Sequence, residues 1–396
     1  MAREGLLLVA AAAAGMAVPE VLATSPTALV LSWLDGETIP RRILRDDAYQ
    51  VARTRLVDQC AEQLARLHTR VHPEQVSGLA HIDELDDVMR RLDDAAEPHP
   101  AFELALRWLA ENRPPRRPPV VLHGDFRLGN LMVDSSGLVA VLDWELAHLG
   151  DPLQDLAWLC VRSWRFGAHL PVAGMGTRDQ LIRAYEAAGG EVVDTEALHW
   201  WEVFCTVNWG VMCLQQSRAH LVGGIRSVEL AVIGRRACEV ELDVLDLLPG
   251  GEVHPPVPEP ERVPVTGPHD RPTPAELAAS VREFLSGLEV TGHDAFLLRV
   301  SIRSLRIVER ELELGTPLAH DHSLRLAGLG VDSDTELAEA IRCGRLEPSR
   351  ALPAVRAAVV AKLHVADPSQ LVGRYDDSDA PLPSASTPVS RSHDQR

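Results

Sequence analysis

The chain of 396 residues is 46% apolar, enough for real cores in two or three domains, and it carries a formal net charge of −18. That charge excludes nucleic acid or an anionic membrane surface as the principal partner, because either calls for a basic face. Its 6 cysteines contain no C-x-x-C pair, which points to buried thiols in a reducing, cytoplasmic setting and away from a zinc site.

The opening residues Met1 to Ala17, with a basic start and an apolar centre, have the outline of a secretory signal. A helix is the better account. Ala and Leu are strong helix formers, Glu4 offsets Arg3, and Gly15 can stop the helix before Val18-Pro19. The run is too short and too alanine-rich to span a membrane. Ala28 to Trp33 reads as a short strand followed by a turn. Asp47 to Arg70 is apolar at helical spacing (Val51, Leu56, Cys60, Leu64, Leu67) and reads as an amphipathic helix, with His68 as a charge near its C-terminal end. Helices follow near Ile82 to Ala96 and Ala101 to Asn112. Pro114-Pro-Arg-Arg-Pro-Pro119 then breaks the chain.

The stretch from Val120 to Glu145 specifies chemistry. Val120 to Leu122 is an apolar strand running into His123-Gly124-Asp125, so Asp125 sits where a buried strand opens into a loop, a common place for a catalytic carboxylate. Asn130 lies on that loop. Leu131 to Val133, a turn at Asp134-Ser-Ser-Gly137 and Leu138 to Leu142 form a hairpin that ends on Asp143. Two carboxylates and an amide at strand ends form an oxygen-rich set that suits Mg²⁺ better than zinc or iron. Phosphoryl transfer uses such a set.

Gly150-Asp-Pro-Leu-Gln-Asp155 then leads into a helix over Leu156 to Trp164, with Asp151 as its cap and Pro152 at its first position. Helices near Arg178 to Ala188, Glu196 to His220 and Ser227 to Leu248 complete a helical lobe rich in tryptophan. That aromatic cluster reads mainly as core, with part of it available to line a cleft. Residues 249–273 are Pro-rich and aperiodic, the pattern of a semi-rigid linker. An all-α module follows over residues 274–372, with helices near Thr273 to Leu288, His293 to Leu314, Asp334 to Cys343 and Ser349 to Val365. His320 and His322 read as part of a polar loop between its helices, and the module shows no catalytic constellation. Residues 373–396 read as a disordered tail.

H-G-D-F-R-L-G-N followed by L-D-W-E resembles the catalytic and metal-binding loops of the aminoglycoside phosphotransferase family, small-molecule kinases with a protein-kinase-like fold. The Phe126-Arg127-Leu128 variant is more similar to the branch found fused or adjacent to acyl-CoA dehydrogenases than to the antibiotic-resistance enzymes. The resemblance implies an α+β, protein-kinase-like fold: an incomplete N-lobe over residues 1–36 and a mostly helical C-lobe over residues 37–248, followed by the separate helical module. That module resembles an uncharacterised domain seen with these phosphotransferases and could direct assembly with a partner protein.

The same resemblance implies ATP and Mg²⁺ as cofactors and a small-molecule hydroxyl as acceptor. Asp125 would be the catalytic base, Asn130 and Asp143 the Mg²⁺ and nucleotide ligands, and His123 an organiser of the loop backbone. Glu4 would pair with the ATP-binding lysine, Leu31, Ser32 and Trp33 would form the hinge that binds adenine, and Asp155 would brace the catalytic loop. Arg127, Arg162 and Arg165 could place positive charge near the cleft for an anionic or acyl-type alcohol; solvated helix charge is the alternative.

Two family features are missing from the text of the sequence: no glycine-rich G-x-G-x-x-G precedes the catalytic segment, and Lys362 is the single lysine. The expectation is a chain whose true start lies upstream, nearly inactive and association-prone as written, or else a pseudokinase that kept the C-lobe as a binding module.

Overall fold

The computed structural model describes residues 1–81, 83–251, 260 and 271–372. Helix α1 (Ala2–Ala13) buries Leu7, Leu8 and Ala11 along one face and packs beneath an antiparallel ribbon of β1 (Val21–Thr24) and β2 (Leu29–Leu31). The strand expected over Ala28 to Trp33 is thus shorter, and the Trp33 side chain is 88% exposed.

After α2 (Pro40–Arg45), the 21-residue α3 (Gln50–Arg70) runs through the core with its apolar stripe inward. His68 does not behave as a solvated helix-end charge. It is buried on the inner face of α3, because its ring is hydrogen-bonded between two other buried groups. Helix α4 (Glu84–Ala95), capped by the Asp83 carboxylate, and α5 (Pro100–Glu111) precede β3 (Val120–Leu122).

The expected hairpin forms as β4 (Leu131–Val133) and β5 (Leu138–Val141). A further strand, β6 (His148–Gly150), pairs antiparallel with β3, Val120 opposite Gly150. Sequence reading missed it because three residues carry no period and its partner lies beyond the hairpin.

Helix α6 spans Leu153–Cys160, followed by α7 (Arg178–Ala187) and the central α8 (Thr195–Leu221). The N-cap falls one residue later than expected, at Pro152, and Asp151 just before it accepts from the Leu153 N–H at 2.9 Å. The chain turns after Val161, so Arg162 and Arg165 lie on a short 3₁₀ turn rather than on the helix. The helix expected from Ser227 to Leu248 is likewise divided, into α9 (Val228–Ile233) and α10 (Ala237–Leu247), with a 3₁₀ turn at Gly234–Arg236 between them.

The C-terminal helices are α11 (Pro274–Ser286), α12 (Gly292–Leu329), α13 (Asp334–Arg342) and α14 (Pro348–Ala366). Helix α12 is 38 residues long and runs through Pro317, so His320 and His322 are helical, not in a loop. Beyond Pro317 a continuous ladder and the Asp334 carboxylate, 3.1 Å from His322 Nε2, hold them there. This module seats on the lobe before it: Ile341, Val355, Val359 and Leu363 share one buried apolar cluster with residues of α5, α8 and α10. Of the Pro-rich stretch 249–273, only 249–251, 260 and 271–273 are described; the tail 373–396 lies outside the described residues.

Candidate active site

Strand β3 delivers His123, Gly124 and Asp125 to one end of the small sheets. Gly124 adopts φ +80°, and a Cβ there would meet the Leu146 carbonyl oxygen at 2.4 Å, so the turn that presents Asp125 needs glycine. The backbone N–H groups of His123 and Gly124 donate to Asp155 at 2.8 and 2.9 Å, so α6 holds the loop by its backbone. His123 is fully buried. Its Nε2 lies 3.0 Å from the Leu142 carbonyl, so that nitrogen carries the proton and donates, while Nδ1 accepts from the Asp125 N–H at 3.2 Å. Burial pushes the imidazole pKa down, consistent with a neutral ring.

Desolvation raises the Asp155 carboxyl, but the His68 hydrogen bond and the backbone donors outweigh it, holding the group below the usual range. His68 reaches Asp155 Oδ2 through Nε2 at 3.3 Å and the Tyr185 hydroxyl through Nδ1 at 2.9 Å. Neither His68 nor Tyr185 was singled out by sequence as a support of the loop. A histidine on the buried face of an amphipathic helix was the available signal, since such a ring needs polar partners.

Asp125 is itself gripped from three sides. Arg127 Nε donates to both carboxylate oxygens at 2.9 and 3.1 Å, the Trp158 indole N–H donates to Oδ1 at 2.8 Å, and Asn130 Nδ2 donates to Oδ2 at 2.7 Å. Trp158 stands three residues after Asp155, on the same side of α6, which is how one helix supports both the loop backbone and its carboxylate. The Arg127 guanidinium also covers Trp164, 4.9 Å from the ring centroid. Trp158 and Trp164 are therefore part of the site, not only of the core.

Asn130 and Asp143 converge. The Leu142 N–H donates to the Asn130 carbonyl at 2.9 Å, and the next residue, Asp143, takes a left-handed φ of +63° with its carboxylate exposed. The Asn130 amide nitrogen is committed to Asp125, leaving Oδ1 as the atom that can face a cation. Among the described residues no group of three or more His, Cys, Asp or Glu side chains is gathered for a metal. An amide oxygen and one exposed carboxylate fit Mg²⁺, which takes only one or two protein carboxylates when phosphates and water complete its shell.

The other expected residues divide. Arg162 lies at the turn after α6, its Nε 3.9 Å from Asp243. Arg165 is buried, donates to the Cys160 carbonyl at 3.1 Å and lies 3.8 Å from Glu202. It faces inward because Glu202, buried in α8, needs cations, and Arg178 supplies the rest; the expectation that Arg165 charges the cleft is corrected. Ser32 is locked to Glu20 by reciprocal 2.9 Å hydrogen bonds, Leu31 pairs with Val21, and the Trp33 indole donates to Asp35. Glu4 lies half-buried in the first turn of α1, whose Arg3 donates to the Glu145 carbonyl at 3.1 Å and so ties this helix to the Asp143 segment.

A buried strand that presents an aspartate, followed by an asparagine and a second aspartate at the end of a hairpin, defines a phosphotransferase-type site on a kinase-like scaffold. Residues 1–201 match the model of the phosphotransferase enzyme family, and the chain belongs to that family. Residues 288–370 match a domain of unknown function. The chain is 40% identical over 83 residues to acyl-CoA dehydrogenase family member 10 of Mus musculus, covering 20% of this chain and 8% of that protein. It is 38% identical over 92 residues to family member 11 of Gallus gallus, covering 22% and 12% respectively. The chain thus spans a small part of the length of these relatives. A solved structure from Ralstonia eutropha, provisionally designated an aminoglycoside phosphotransferase, is similar with a TM-score of 0.51 at 19% identity, over 62% of this chain and 82% of that one. The fold is α+β and protein-kinase-like, followed by the helical module. Among the described residues no helix is long and apolar enough to cross a membrane.

Proposed function

We propose that this chain catalyses ATP-dependent phosphoryl transfer to the hydroxyl of an anionic or acyl-type small molecule, with Asp125 as the base. The observation that carries the reading is the three-sided hold on the Asp125 carboxylate at the mouth of β3, beside Asn130 and Asp143. Asp125 accepts the hydroxyl proton of the acceptor, and Trp158 and Asn130 each fix one of its two carboxylate oxygens. Asn130 Oδ1 and Asp143 would hold Mg²⁺, whose charge would offset that of the nucleotide phosphates. The backbone of Leu31 to Trp33 receives adenine. Arg127 reads the anionic part of the acceptor, exchanging its contact with Asp125 for one with a phosphate or carboxylate of the substrate.

Asp125→Asn tests the assignment: kcat should fall by about 10²–10⁴ at nearly constant KM for ATP. Retained turnover removes the base. For the metal, Asp143→Asn or Asn130→Ala should weaken Mg-ATP binding by calorimetry with the fold intact, and equal affinity would remove that role. Phosphorylation of a polycationic aminoglycoside, with hydroxyacyl-CoA esters left untouched, would contradict the acceptor class.

One observation favours a second reading, a pseudokinase that binds without turnover. Lys362, the single lysine of the given sequence, lies on α14 of the C-terminal module and pairs with Glu241 of α10 at 3.2 Å, not in the nucleotide half of the site. Binding of Mg-ATP with no phosphoryl transfer to any hydroxyl acceptor or to water would select it.

A further inference from the structure

An unbroken run of side chains joins the Asp125 carboxylate to the C-terminal module. Arg127, lying across both oxygens of Asp125, stacks on Trp164, and Trp164 meets Trp209 of α8 with ring centroids 4.6 Å apart. The Arg236 guanidinium covers Trp209 at 5.9 Å, and its Nε donates to Glu239 at 3.2 Å. The other oxygen of Glu239 accepts from Nη2 of Arg303 on α12 at 3.3 Å, and the same nitrogen donates to Asp367 at 2.8 Å. A branch returns to the start: Trp158 lies 5.5 Å from Trp164 and donates to Asp125.

Trp158, Trp164, Trp209 and Glu239 are all buried. Interiors packed to crystal density do not absorb the displacement of a large ring, so a shift at one member is handed to the next. Glu239 divides its carboxylate between a lobe arginine and a module arginine. Without the Arg303 guanidinium, the Glu239 carboxylate is left to Arg236, which is drawn further toward it and off the face of Trp209.

We infer that Arg303, Glu239 and Arg236 are positioning residues for the catalytic loop, so that the C-terminal module sets where Arg127 and Trp158 hold the Asp125 carboxylate. The functional meaning rests on the proposed role of Asp125, while the coupling itself can be read without substrate or turnover. The assay is the indole N–H region of the ¹H–¹⁵N spectrum of the full chain, which holds 8 tryptophans. Resonances are assigned by single Trp→Phe changes. Arg303→Ala and Glu239→Gln should each displace the resonances of Trp209, Trp164 and Trp158, leaving Trp33 and Trp108 in place. The double variant should displace them no further than the larger single change, because both act on one link.

A displacement that stops at Trp209, or additive displacements in the double variant, overturns the coupling. Glu239→Gln nearly preserves shape, so it keeps the test readable if Arg303→Ala loosens the module. Loss of the Asp125 role in kinetics leaves this result standing, and an unmoved Trp158 leaves the Asp125 assignment standing.

Discussion

Asp155 and Glu241 are both buried carboxylates held ionised, yet they are held in opposite ways. Asp155 is caught by two consecutive backbone N–H groups and by His68 of α3, all within the lobe that bears Asp125. Glu241, on α10, is caught by His99 at 2.8 Å and by Lys362 at 3.2 Å, the latter from a module more than one hundred residues further on. Its neighbourhood repeats the pattern: Arg342 of α13 forks onto buried Glu103 of α5, and Arg356 of α14 meets Asp246 at 2.7 Å. The comparison teaches that the loop bearing Asp125 carries its own support, while the acids on the adjoining lobe surface depend on cations that the module brings. The module is electrostatically part of the lobe it covers.

The comparison breaks most visibly in rate, through the fall of about 10²–10⁴ in kcat expected for Asp125→Asn. Next in size, Asp155→Ala strands two buried N–H donors and the His68 ring, and should cost roughly 3–4 kcal/mol in urea unfolding. A loss under about 1 kcal/mol would mean that water replaces the carboxylate and that the brace is dispensable. Arg342→Ala leaves Glu103 buried without its fork. The expected loss is about 2 kcal/mol, below the 3–5 of a fully buried pair because the Arg342 side chain is 38% exposed. Proteolysis should then release α13 and α14 before the lobe unfolds; simultaneous loss of both would show that the seam is not a separate weak point.

A further effect is in pH. Desolvation raises Glu241, but the charge of Lys362 and the His99 hydrogen bond bring it from 4.5 to about 2. A depressed folded pKa stabilises above the unfolded value and loses that contribution as pH falls through the folded one, so the seam should weaken between pH 4.5 and about 2. Hydrogen exchange in α14 should accelerate across that window in the native chain, and Glu241→Gln should flatten the change. An identical acid profile in Glu241→Gln would move the titration elsewhere.

The family was legible because its motif sets particular side chains at short, countable spacings: Asp125, Asn130 and Asp143 lie within one strand, one turn and one hairpin. Long periodic helices such as α3 and α8 were legible for the same local reason. Strand β6 was not, since three residues without a period become a strand only when β3 lies beside them. The break between α9 and α10 and the run of α12 through Pro317 were also hidden, because packing there overrode local propensity.

By itself the sequence determined the phosphotransferase family, the helical lobe and the existence of a further helical module, all set by residue type and period along the chain. Only the tertiary structure decided that His68 and Tyr185 stand behind Asp155, that Trp158 grips Asp125, that Arg165 faces a buried glutamate instead of the cleft, and that Lys362 serves Glu241. Each of these is a pairing of polar groups far apart in sequence, at least one of them buried. Such groups must find partners once water is removed, but which partner each one finds depends on the faces that packing brings together.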